Sequence, residues 1–88
     1  MIYLLDELYK DIIELKFGRE TYFYKKVSYY APHIYNYMLL LRIPNSNFIF
    51  KSFLYKIGQS RKLLQDSRTF KEGKINILEA IKNLKNKL

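Results

Sequence analysis

The sequence predicts an all-α protein, a compact bundle of four to five helices in which residues 1–88 form a single domain. Three observations carry that expectation. Apolar residues recur at steps of three and four along nearly the whole chain, the spacing that gathers side chains on one face of a helix. No apolar–polar alternation reaches four residues, and the best strand candidate, Phe48-Ile49-Phe50, is better explained as the start of a helix. The strongest breakers, Gly18, Pro44 with the Asn45-Ser46-Asn47 run, and Gly73, cut the chain into helix-sized pieces.

The first piece, Ile2 to Phe17, reads as an amphipathic helix. Leu5, Leu8, Ile12 and Leu15 form its apolar stripe, Asp6, Lys10 and Glu14 lie opposite, and Gly18 is a suitable stop. Asp6–Lys10 attracts and Glu7–Asp11 repels at the same i,i+4 spacing, so ion pairs within the helix contribute almost nothing net and the stripe carries its stability. Arg19 and Glu20 make a short corner, which lays the next helix antiparallel to the first.

That next helix is the centre of the chain. Opening at Glu20 or Thr21, the stretch Tyr22 to Leu41 holds six of the nine tyrosines. Its positions Phe23, Val27, Tyr30, Ile34, Met38 and Leu41 share one face. The rhythm runs through Pro32, whose ring crowds the carbonyl of Ser28 in a helix interior, so the stretch is either one kinked helix or two in near-continuation with Pro32 in the first turn of the second. Pro44 ends it by driving Ile43 from helical angles. Ser46 or Asn47 then offers a side-chain cap for a helix from Phe48 to about Gln65, with Phe50, Phe53, Leu54, Ile57 and Leu64 on its inner side. Gly58, inside this helix, marks a kink or a close backbone contact. Asp66 to Gly73 is ambiguous: Thr69 and Glu72 have capping-box spacing, while Gly73 argues against a long uninterrupted helix. From Ile75 the last helix is plain, with Ile77, Leu78, Ile81, Leu84 and Leu88 on one face.

Composition narrows the function classes. The chain is 49% hydrophobic with 15 aromatic residues, which is globular rather than disordered. It has no cysteine and one histidine, so no disulfide framework and no thiolate or zinc site is expected, and no cofactor. Its longest uncharged apolar run, Ile34 to Leu41, is too short to span a bilayer, and Asp6 and Glu7 come too early for a signal peptide; the expected location is cytoplasmic, in association with the nucleoid. His33 has no carboxylate nearer in sequence than Glu20 to orient it. There is no glycine-rich phosphate loop and no paired-carboxylate motif. An enzyme, and with it a small-molecule substrate, is not expected.

Charge is distributed unevenly. Of the net +8, residues 1–20 carry five acids against three bases, leaving 13 bases against three acids in residues 21–88. Such asymmetry points to a polyanion or an acidic protein as partner. At 100° per residue, Lys51, Tyr55 and Lys62 fall within about 40° of one another, opposite the apolar side of their helix. Arg61, Arg68, Lys71 and Lys74 extend the positive charge toward the last helix. These seven residues are the candidate DNA- or RNA-contacting set; a merely solvated lysine face predicts the same residues. The tyrosines cannot all fit one core. Tyr24, Tyr29, Tyr35 and Tyr37 are candidates for a protein interface, where aromatic side chains with polar tips are favoured.

The segment from Ser60 to Ile81, SRKLLQDSRTFKEGKINILEAI, places Lys71 and then Lys74-Ile75 before an apolar run. In this it resembles the last helices of the α-helical domain in archaeal GINS subunits. Glu14-Leu15 followed by Phe23-Tyr24-Lys25-Lys26-Val27 resembles the Phe-Tyr-centred helix of the same domain; Gly73 interrupts the basic motif. Size and charge are also similar to those of small basic accessory subunits of archaeal replicative DNA polymerases. Either resemblance implies a non-catalytic accessory subunit of the DNA replication machinery that docks on a larger polymerase or helicase protein and contacts DNA through its basic carboxyl-terminal half. The rival expectation is a stand-alone basic nucleic-acid-binding protein.

Overall fold

A computed structural model describes residues 2–88 and contains four helices among them: α1 (Ile2–Ile13), α2 (Glu20–Leu40), α3 (Ser46–Leu64) and α4 (Phe70–Lys87). Each runs antiparallel to the next. The register can be followed in the contacts: Glu7 meets Tyr30 and Asp11 meets Lys26 between α1 and α2, Tyr35 meets Phe50 and Tyr24 meets Ile57 between α2 and α3, and Asp6 meets Lys85 across α1 and α4. The helices close into a ring in which each touches two neighbours, while the diagonal pairs nowhere bring Cα atoms within 8 Å. This is an up-down-up-down bundle.

The apolar stripes read from the sequence meet at the centre. Leu5, Leu8 and Ile12 of α1, Phe23, Val27, Ile34 and Met38 of α2, Phe50, Phe53, Ile57 and Leu64 of α3, and Ile77, Ile81 and Leu84 of α4 are all buried. Tyr30 and Leu54 sit at its edge, half-buried, and Leu41 is exposed just past the end of α2. The sequence pattern passed over Ser60, Gly73 and Ala80, three small buried residues on the facing sides of α3 and α4.

Several boundaries differ from expectation, each for a visible reason. α1 ends at Ile13, not Phe17, because the chain turns away so that the Phe17 ring can pack edge-on against Phe70 at 5.7 Å. Gly18 then turns the corner with φ +88, a left-handed conformation that suits glycine. Leu15 reaches the core from this loop. α2 is one helix that continues through Pro32; Ser28 and Pro32 lie on its exposed side, where water can serve the carbonyl that the proline cannot. It stops before Pro44 is felt. Arg42 takes a left-handed φ of 55, its N–H bonds the Leu39 carbonyl and the Ile43 N–H bonds the Met38 carbonyl, which together make a Schellman ending.

α3 starts two residues early, at Ser46. The Ser46 hydroxyl makes no cap; it donates backward to the Ile43 carbonyl at 2.6 Å. α4 starts at Phe70 rather than Ile75 and includes Gly73. Thr69 precedes it without a side-chain cap, since its hydroxyl donates to the Leu63 carbonyl at 2.9 Å. The two helical glycines depart from the roles expected of them: both helices run unbroken through them. Gly58 has open space where a Cβ would stand, whereas a Cβ on Gly73 would lie 3.0 Å from Leu63 Cβ and 3.0 Å from Leu64 Cδ2. The close approach is at Gly73.

Candidate nucleic-acid interface

α3 buries one side, so residues half a turn away must face outward. Lys51, Tyr55 and Lys62 are all exposed there, as their helical projection requires. Tyr55 is 65% exposed, and its hydroxyl accepts a hydrogen bond from Gln59 Nε2 at 3.0 Å. Phe48, two turns before Tyr55 on the same side, is 73% exposed. The seven-residue spacing from Phe48 to Tyr55 is the sequence signal that places them on one side. Gly58 leaves a gap in the row between Tyr55 and Lys62.

Beside this row runs the outward groove between α3 and α4. Two adjoining hollows of about 610 and 530 Å³ share Lys56 and Ala80 as walls. Gln59, Lys62, Asn76 and Glu79 line the first; Phe48, Ser52, Asn83 and Lys87 line the second. Glu79 is the one carboxylate in either lining, against the cations of Lys56, Lys62 and Lys87. Lys56 has no signal in the helical projection of α3 alone: it projects toward α4 rather than straight outward, and only the placement of α4 makes it part of a site.

The other basic candidates do not join this face. Arg61 turns toward α2, its guanidinium 4.8 Å over the Tyr24 ring and its Nη2 3.5 Å from Thr21 Oγ1. Arg68 is held by Asp66 in an ion pair at 3.0 Å, with a further backbone hydrogen bond, and these hold the Asp66 carboxyl below its ordinary range. Lys74 closes the end of α1: its Nζ donates to the Ile13 carbonyl at 2.7 Å and to the Leu15 carbonyl at 3.3 Å, groups that a helix end leaves without partners. Lys71 is exposed, but with Lys74, Ile13 and Ile75 it lines a hollow on the α1 side of α4. The strip expected from Arg61 to Lys74 is therefore divided, and of the seven candidates Lys51, Tyr55 and Lys62 alone share the outer face of α3.

The four interface tyrosines also separate. Tyr24 is turned inward and donates its hydroxyl to the Ile57 carbonyl of α3; burial pushes its ionisation up to about 12, Arg61 opposing and Glu20 adding to the rise. Tyr35 packs its ring 5.1 Å from Phe50. Tyr37 is half-buried. Tyr29 alone of the four stands clear, at 72% exposed, in a row along the outer side of α2 with Tyr22, His33 and Leu40. His33 lies against Tyr29, 6.1 Å between ring centres. Among the described residues no cluster of histidine, cysteine or carboxylate could hold a metal ion, and no helix is long and apolar enough to cross a membrane. No protein family, curated protein or solved structure matches this chain, so the chemistry of the α3 face is read from its own residues.

Proposed function

We propose that this protein is a non-catalytic accessory module that contacts nucleic acid with the outer side of α3 and the α3–α4 groove, and docks on a larger protein of the replication machinery with the exposed row of α2. The observation that carries the nucleic-acid part is that Lys51, Lys56 and Lys62 stand exposed on one side of the bundle with no carboxylate among the described residues paired to any of them. Such a cluster attracts phosphates by releasing the counterions condensed on them. Docking through α2 is supported by Tyr22, Tyr29 and Leu40, the last 80% exposed, on a helix face that no other described residue covers. The replication assignment comes from the GINS-like residues Glu14-Leu15, Phe23 to Val27, Lys71 and Lys74-Ile75, and from the size and charge shared with small polymerase accessory subunits.

Changing Lys51 and Lys62 together to glutamate tests the reading. Fluorescence anisotropy on labelled DNA should show weaker binding and a salt dependence shallower by roughly one to two phosphates. Thermal unfolding should stay nearly unchanged, since exposed substitutions of this kind usually move stability by no more than about 0.5 kcal/mol each. Unaltered affinity and salt slope would make this a solvated lysine face and end the proposal. The stand-alone reading is favoured by the same unpaired cations; submicromolar binding of free DNA at physiological salt, with no partner present, would select it over an accessory role.

A further inference from the structure

We propose that the α3 face takes single-stranded rather than duplex nucleic acid, with Phe48 and Tyr55 as platforms for unpaired bases and Lys51, Lys56 and Lys62 holding the phosphates beside them. The inference rests on the nucleic-acid reading above and gives it a substrate class. Phe48 and Tyr55 are seven residues apart, which places their rings on nearly the same line along α3, separated by about 10.5 Å. Both project into solvent, and no other aromatic ring of the described residues pairs with either. Phe48 is the more telling of the two, because it has no polar tip to be satisfied by water and contributes little to the core.

Duplex DNA gives such rings nothing to stack on. Its bases already stack on one another, and a protein that tracks the duplex backbone needs cations and hydrogen-bond donors alone. A single strand exposes a π-face at every base, and pairs well with alternating rings and cations. The order along α3 is ring, cation, ring, cation: Phe48, Lys51, Tyr55, then Lys62 past the gap at Gly58. The neighbouring groove adds Lys56 and the side-chain amides of Asn76 and Asn83, donors that suit phosphate oxygens. From Phe48 to Lys62 the row spans about 21 Å of helix, which places the site at the low end of the range of roughly 4–16 nucleotides seen for single-strand folds.

The experiment compares an oligothymidine with a mixed-sequence duplex of equal length, both labelled, against the whole protein. The wild type should prefer the oligothymidine, and Phe48→Ser with Tyr55→Ser should weaken that binding by about thirty-fold or more while changing duplex binding little. Tyr55→Ser alone, in mid-helix, should lose part of the same affinity, and Tyr55→Phe should restore it. If the serine variants leave oligothymidine binding unchanged while the Lys51 and Lys62 reversals still weaken it, the single-strand inference fails and the nucleic-acid reading stands. Equal loss on duplex and single strand, with helicity intact, also overturns the stacking role. If the wild type binds neither probe at low salt, both readings fall.

Discussion

The two helical pairs on either side of the bundle are joined by different means. α3 and α4 approach closely: Gly73 lies against Leu63 and Leu64, and Ser60 and Ala80 remove bulk from the same seam. α2 is attached at its edges by long polar side chains. Lys26 reaches Asp11 at 2.6 Å, Tyr30 donates to Glu7 at 2.6 Å, and Tyr24 spans to the Ile57 carbonyl. Those contacts raise the ionisation of Lys26 and Tyr30 chiefly through their hydrogen bonds to Asp11 and Glu7. One seam is fixed by shape and the other by hydrogen-bonded reach. The first has little tolerance for added volume; the second buries Phe23, Val27, Ile34 and Met38 as well but adds polar contacts along its edges.

Phe53, on the α4 side of α3, gives the largest expected effect. It is buried between Phe50 and the α4 side of the core, and Phe53→Ala should cost about 3 to 5 kcal/mol in denaturant unfolding. A cost below about 1 kcal/mol would mean that the core does not close around α3 as described.

The glycines sharpen the contrast more directly. Gly73→Val should destabilise by about 1 to 3 kcal/mol, because the added carbons meet Leu63 Cβ, which cannot swing aside. Gly58→Ala should do the opposite and stabilise by up to about 1 kcal/mol, the ordinary helix-propensity gain with nothing in the way. Outcomes of opposite sign in the same helical pair would show the close seam; matching gains at both sites would erase it.

Tyr24 tests the other seam and should give a change near neutral pH comparable in size to that at Gly58. Tyr24→Phe removes one hydrogen bond, worth about 0.5 to 1.5 kcal/mol. The pH dependence is more specific. Because the folded-state ionisation, pushed up to about 12, lies above the ordinary 10.0, the fold holds a proton that the unfolded chain gives up. Its contribution is complete below pH 10 and is lost as pH rises toward 12. Unfolding measured across that window should fall more steeply for the wild type than for Tyr24→Phe; parallel curves would place the hydroxyl in solvent.

Much of the fold was legible from spacing, because inside and outside are set by a single helical projection. Phe23, Val27, Ile34 and Met38 repeat cleanly enough that even Pro32 did not hide the helix, and the outward row of Lys51, Tyr55 and Lys62 followed from the same geometry. What a lone projection does not contain is the azimuth of the neighbours. Tyr24 and Tyr35 project away from the buried stripe but toward α3, so they were assigned to a partner when the chain itself supplies one. Lys74 looked like a free cation because its acceptors, the carbonyls of Ile13 and Leu15, lie some sixty residues away and are backbone atoms that leave no trace in a sequence. Gly73 was read as a breaker because its use, room for a neighbouring helix, exists only after packing.

The grip of Lys74 on the end of α1 has a consequence for the order in which the molecule assembles. α3 and α4 are joined by a short corner and can pair while the rest of the chain is open, whereas α1 and α4 meet only across the longest stretch of sequence in the fold. Since α2 and α4 do not approach each other directly, α1 is the piece that joins the two ends of the row of helices into a ring. The α1–α4 contact has the character of a clasp: every other neighbouring pair is joined by a short corner, so this pairing carries the greatest loop-closure entropy, and its release would open Leu5, Leu8 and Ile12 to water while leaving the α3–α4 face, and whatever is held there, in place.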